Sequence, residues 1–252
     1  MIHIKTEAEI ELMRQAGKIL AGSRKAAEHL MVPGGNADDV NRTVEEYIRD
    51  HGGSPAFKNQ DNGRGAKFPA AVCFSIDEEV VHGIPAGRIM REGMIIGVDI
   101  GVVYKGYYAD SAWTYGIGEI SPEGRRLMDV TLRCLELAMA EAKAGARLSN
   151  IGHAVQSYAE SFGFGVVREL VGHGVGKSLW EDPQVPNYGT PGRGPMLRRN
   201  MTIAIEPMIT MGTHEVDMLG DWDVLTKDRK PAAHFEHTMV ITDGEPEILT
   251  QL

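Results

Sequence analysis

Two stretches of this chain echo each other, and each echo ends on a carboxylate. Residues 91–99, Arg-Glu-Gly-Met-Ile-Ile-Gly-Val-Asp, recur at 198–206 as Arg-Arg-Asn-Met-Thr-Ile-Ala-Ile-Glu, an offset of 107 that matches Asp99 to Glu206. Ala109-Asp110-Ser111 lines up in the same order with Phe235-Glu236-His237, and His82-Gly83-Ile84 with His173-Gly174-Val175. Further upstream, Gly34, Val40, Val44, Tyr47 and Gly52 match Gly145, Ile151, Val155, Tyr158 and Gly163 at an offset of 111. The apolar members of that set have the spacing of one buried helix face. Helix then strand pair, twice over, predicts an α+β fold in two pseudo-symmetric halves, roughly 20–120 and 130–245, with an antiparallel sheet covered by helices. Two copies indicate duplication inside one domain spanning 1–252, since a solenoid needs at least about three.

Local signals give the elements. Thr6 with Glu9 is a capping box that opens a helix running toward Met31, where Pro33-Gly34-Gly35 stops it. A second helix runs from about Ala37 to Gly52-Gly53. Ser121-Pro122 opens a third, which continues to about Ala144, and a fourth spans Ser149 to Phe162. Strands are expected at Ala70–Ile76, Met94–Tyr104 and Tyr107–Tyr115, with a hairpin turn at Lys105-Gly106. Others fall near Gly165–Val171, Thr202–Met211 and His234–Thr242. Asp99 and Asp110 then face one side of the hairpin, and their unequal distances from the turn predict either a bulge or a turn placed elsewhere.

Composition excludes several classes. A net charge of −9 disfavours a nucleic-acid footprint, which needs clustered Lys and Arg. No apolar run reaches the roughly 18 residues that span a bilayer. The start lacks a signal-peptide pattern. Two cysteines, Cys73 and Cys134, make no disulfide framework, and Cys134 falls on a helical core face with Leu127, Val130 and Leu137. A reducing cytoplasm is the expected setting.

The candidate metal ligands are Asp99, Asp110, His173, Glu206 and Glu236. Asp99 interrupts an Ile/Val run and Glu206 another, where an unpaired buried carboxylate costs several kcal/mol. One such residue alone reads as an edge or turn position; five, duplicated in pairs, read as a site for two divalent ions. Two ions about 3.5–4 Å apart polarise a carbonyl and activate water, which is the chemistry of dinuclear hydrolases. Charge reading stops there, without a substrate.

The motifs Val81-His82-Gly83-Ile84-Pro85, Val98-Asp99-Ile100-Gly101, Tyr108-Ala109-Asp110-Ser111, Gly172-His173-Gly174-Val175-Gly176, Glu181-Asp182-Pro183-Gln184-Val185, Ile205-Glu206-Pro207-Met208 and Phe235-Glu236-His237-Thr238 go further. In this order the chain resembles type I methionine aminopeptidase, a pita-bread metallopeptidase, along its whole length. The resemblance implies removal of N-terminal methionine from peptides or nascent chains, with two ions of cobalt, manganese, iron or zinc. By that resemblance Asp99 holds one ion alone, Asp110 and Glu236 bridge both, and His173 and Glu206 complete the second coordination sphere. Glu206 also handles a proton, His82 contacts the scissile peptide, and Cys73, Phe68 and Trp222 line the methionine pocket. It further implies a monomer, working in the cytoplasm and in association with the ribosome.

Two departures stand out. The family usually has His where this chain has Trp180, and an indole offers one N–H donor and no acceptor. Losing an oxyanion donor costs about 10²–10³ in turnover, so slower catalysis is expected. The family's short Gly-Tyr-x-Gly segment is replaced by the polar stretch Lys58–Lys67, and loop and Trp180 are expected to refill one cleft. An X-Pro dipeptidase or aminopeptidase of the same fold shares all five ligands, and a catalytically weakened metal-binding homologue is the other alternative.

Overall fold

In the computed structural model, which describes residues 1–252, the helices and antiparallel strands follow in the predicted order. The helices are α1 (Glu7–Ala27), α2 (Ala37–Asp50), α3 (Pro122–Glu141) and α4 (Ser149–Ser161). The Thr6/Glu9 capping box forms in full, with the Thr6 N–H donating to Glu9 Oε2 at 2.8 Å. Asn36 caps α2 and Ser121 caps α3 through the Gly124 N–H at 3.0 Å. Each such cap contributes about 1 kcal/mol.

The echo is written into the backbone. Gly34 and Gly145, ahead of α2 and α4, have φ of 83° and 88°, and Gly52 and Gly163, behind them, both have 78°. Only glycine takes these angles without strain. Before the repeated strands, the Arg91 N–H meets Met94 Sδ at 3.3 Å and the Arg198 N–H meets Met201 Sδ at the same distance.

In the first half, Ile95–Tyr104 lies between Val72–Ile76 and Tyr107–Gly116, all antiparallel. The hairpin turns at Lys105-Gly106 as expected, but the predicted bulge is absent: register is unbroken from Tyr104 opposite Tyr107 to Ile95 opposite Gly116. Asp99 faces Ala112 and Asp110 faces Gly101, so the two acids stand two positions apart. Side chains alternate with a period of two, which puts both on one face without an extra residue.

In the second half the sheet order is Glu247–Ile248, His237–Val240, Thr202–Ile205, Gly172–Gly174, Glu181–Val185. Three predicted strands are shorter than expected. The one starting at Gly165 ends at Val166. The one starting at Thr202 breaks after Ile205 and resumes as Met208–Thr210, because Pro207 has no N–H to give a ladder. The third is split into Ala232–His234 and His237–Val240. At that split the chain leaves its own sheet and binds the first hairpin. The Glu236 N–H donates to the Ala112 carbonyl at 2.9 Å, and the Ser111 hydroxyl donates to the Glu236 carbonyl at 2.6 Å. Thr114 and Thr238 extend the seam, each giving its hydroxyl to a carbonyl across it (His234 at 2.6 Å, Asp110 at 2.8 Å) and accepting the N–H of the same residue. The backbone groups of His234 and Glu236 at the break are thereby paired.

Each half has its own core. Leu20, Val44, Phe74, Val98 and Ile100 fill the first, and Leu127, Leu135, Ile151, Val155 and Ile203 the second, together with Cys134. Burying one such side chain stabilises by about 1.5–3 kcal/mol. No helix is long and apolar enough to cross a membrane.

Candidate active site

All five predicted ligands converge where the seam joins the halves. Asp99 and Asp110 come from the hairpin, Glu206 and Glu236 from the two strand breaks, and His173 from the strand Gly172–Gly174. Donor atoms of Asp110, His173 and Glu236 lie within 4.8 Å of one another. His173 Nε2 is 3.5 Å from Glu206 Oε1 and 3.8 Å from Asp110 Oδ2. Asp99 stands beside Asp110, close enough for each to perturb the other's ionisation. They line a cavity of about 640 Å³.

No Lys or Arg forms an ion pair with any of the four carboxylates; their nearest basic neighbours are His173 and His234, which burial keeps neutral. Burial raises the Asp110 carboxyl from 3.8 to about 7. It drives Asp99, Glu206 and Glu236 well above the carboxylate range, helped in each by repulsion from the neighbouring acids. Asp99 Oδ1, Asp110 Oδ1 and Glu236 Oε1 are buried with no hydrogen-bond partner. Such orphans cost about 1–3 kcal/mol each, more when charged. The pairing of His173 Nδ1 with the Gly174 carbonyl at 2.9 Å puts the proton there and leaves the Nε2 lone pair toward the acids. An oxygen-rich set with one imidazole, lacking any internal counter-charge, fits divalent metal ions.

The remaining wall explains the other candidates. His82 follows the strand Glu79–Val81 with φ of 65°, and its ring, in contact with the Trp222 backbone, is kept neutral mainly by burial. Cys73 is also on the wall; burial and the adjacent acids push its thiol up, so it is an inert surface. Phe57, Val81 and Leu170 make the apolar part. Trp180 stands at the rim, 53% exposed. Its loop is clamped by Glu181, which accepts from Lys5 Nζ at 2.6 Å and from the Lys177 N–H at 2.7 Å.

Phe68 and Trp222 are not on this wall. Their rings cross edge to face at 5.1 Å and pack with Cys73 and Leu179, and Trp222 opens instead on an adjoining pocket of about 330 Å³. The 58–67 stretch also turns away from the main cavity. Lys58 pairs with Glu45 at 2.8 Å, the Asn62 amide donates to the Asp221 carbonyl at 3.2 Å, and Asn62 and Arg64 line the adjoining pocket. Loop and Trp180 therefore fill different spaces, because the loop is tied to the 219–223 turn rather than to the rim.

His234 belongs to the site and escaped the sequence reading. Its Nε2 lies 3.7 Å from Glu206 Oε2 and 4.0 Å from Glu236 Oε2, on the same cavity. The available signal was its position two residues before Glu236, the strand period.

Comparison with known proteins agrees with this geometry. The model of metallopeptidase family M24 matches residues 11–243. A methionine aminopeptidase of Clostridium acetobutylicum is 49% identical over 99% of each chain. The crystal structure of methionine aminopeptidase from Thermotoga maritima superposes with a TM-score of 0.95, at 46% identity and over the full length of both chains. A prolidase from Pyrococcus furiosus shares the fold, with a TM-score of 0.78 at 22% identity over 99% of this chain and 65% of that one. The chain thus has the pita-bread fold and is a member of metallopeptidase family M24, among its methionine aminopeptidases.

Proposed function

We propose that residues 1–252 form one catalytic domain that uses two divalent ions to release N-terminal methionine from peptides and nascent proteins. The observation that carries this reading is the cluster of four acids and His173, without a basic partner, beside an apolar cavity. Asp99, Asp110, Glu206 and Glu236, together with His173, would hold the ions. The ions, drawn from cobalt, manganese, iron or zinc, supply Lewis acidity toward the scissile carbonyl.

The chain's own residues do the rest. Glu206 takes a proton from the attacking water and passes it to the departing amine. His82, neutral at working pH, donates its N–H to the scissile peptide. Phe57, Cys73 and Leu170 receive an unbranched apolar side chain and keep water out. At the rim, the exposed Trp180 stands where the family usually has a His donor, and its single indole N–H is the weaker substitute. This reading has the enzyme acting as a monomer in the cytoplasm, on chains emerging at the ribosome.

An X-Pro specificity is less well supported, since it shares the ligand set but the prolidases and X-Pro peptidases that share the fold are only 20–22% identical. The test is amino-acid release from Met-Ala-Ser, Leu-Ala-Ser, Ala-Pro-Ser and Met-Pro-Ser, with Mn²⁺ or Fe²⁺ and with chelator. Metal-dependent release of methionine alone is the expected result. Cleavage confined to X-Pro peptides would move the enzyme to the prolidase side, and no release with ions bound would mean that Trp180 silences it.

A further inference from the structure

His234 lies at the end of the strand Ala232–His234, opposite Met208, and its backbone is held at both its N–H and its carbonyl by Thr114. The side chain is buried and its Nε2 has no hydrogen-bond partner. A histidine kept only for packing would not leave a ring nitrogen orphaned, at a cost of about 1–3 kcal/mol. Nor is this nitrogen bonded to the acids it faces: 3.7 Å to Glu206 and 4.0 Å to Glu236 exceed hydrogen-bond range. Those distances suit another relation. Two donors about 2.1 Å from a common ion stand about 3.4–3.6 Å apart at tetrahedral to trigonal angles, and farther apart, up to about 4.2 Å, as the angle opens. His173 faces its two acids at 3.5 and 3.8 Å, so the two imidazoles stand in nearly the same relation to the cluster. Glu206 lies between them, with Oε1 toward His173 and Oε2 toward His234.

We propose that His234 is a sixth metal ligand, its Nε2 binding an ion held jointly with Glu206 and Glu236. The inference rests on the two-ion reading above and adds to it a donor that the five-ligand set does not contain. A second imidazole makes the site softer. It favours Zn²⁺, Co²⁺ and Fe²⁺ over Mn²⁺ and Mg²⁺, relative to a site with a single imidazole.

The experiment is a Zn²⁺ titration of the full chain labelled with [¹⁵N]histidine, followed by nitrogen NMR, with calorimetry of Zn²⁺ and Mn²⁺ binding. The native chain, His234→Gln and His173→Gln are compared. Two imidazoles are expected to move to the metal-bound position in the native chain, one of them missing in each variant. His234→Gln is expected to bind one Zn²⁺ at least about 10-fold more weakly, with a smaller loss for Mn²⁺. Movement of the His173 resonance alone, or unchanged Zn²⁺ binding by His234→Gln, overturns the assignment while leaving the two-ion reading intact. Absence of any binding to the native chain sinks both. Should His234→Gln fail to fold, the native titration decides by itself, since two imidazoles moving supports the assignment and one refutes it.

Discussion

Replacing Asp110 by asparagine should make the ion-free protein more stable and the enzyme inactive. In the folded, ion-free chain the Asp110 carboxyl ionises near 7 instead of 3.8, with burial as the main cause. Between those values the folded state binds more protons than the unfolded one, so stability falls as pH rises through the interval and the full penalty stands above it. At about 1.36 kcal/mol per tenfold change in proton affinity, the ceiling is about 4 kcal/mol. For a chain of this length each kcal/mol moves the melting temperature by about 2–4 °C, giving a rise of up to roughly 8–16 °C. Asparagine fits the same space, carries no charge, and its amide can donate to Asp99. With chelator at about pH 8, Asp110→Asn should therefore melt above the native chain, and near pH 4 the two should coincide. With Mn²⁺ or Zn²⁺ the native chain should overtake the variant, which should release no methionine. The measurement is scanning calorimetry over pH with and without ions. An Asp110→Asn chain that melts at or below the native one at about pH 8 in chelator, or a gap that does not change with pH, would refute the electrostatic reasoning.

Three more outcomes follow from the site. Glu206→Gln should lower turnover by about 10²–10⁴ at saturating metal; a loss below tenfold would remove Glu206 from the proton-handling role. Trp180→His should raise turnover by up to about 10²–10³ and bring a new acid limb into the pH–rate profile, whereas an unchanged rate would show that the indole already serves. Lys5→Met breaks the buried pair with Glu181 at 2.6 Å and should cost about 3–5 kcal/mol. The Trp180 loop should loosen with it, raising KM more than it lowers kcat; thermal unfolding and steady-state kinetics check both.

The acid cluster was legible because Asp99 and Glu206 break apolar runs and because Asp110 and Glu236 follow them in the same order. Asp99, Asp110, Glu206 and Glu236 could be found that way without any fold in view. What the sequence hid was where the strands stop. The break at Phe235-Glu236 depends on bonds to a hairpin more than a hundred residues away, and a pattern read within one segment carries no trace of them. His234 stayed hidden for a similar reason, since a single His in an apolar strand reads as core until Glu206 is brought beside it. Phe68 and Trp222 went the other way: their aromatic rings pack edge to face on each other and do not line the cavity. The position of Trp180 was readable, but its exposure depends on the Lys5–Glu181 clamp across 176 residues.

His82 and His173 are counterparts in the echo, yet their backbones differ. His173 sits in a regular strand and points into the acids, while His82 has a left-handed φ of 65° and forms no ion pair with them. A non-glycine residue held there stores about 1–3 kcal/mol of strain, and that strain breaks the likeness of the two halves. A cleft built from two matching faces would accept a peptide in either direction. Turning one imidazole away from the acids and toward the cavity gives the cleft polarity, with an acid-lined end for the amine and a histidine-lined end for the amide that follows it.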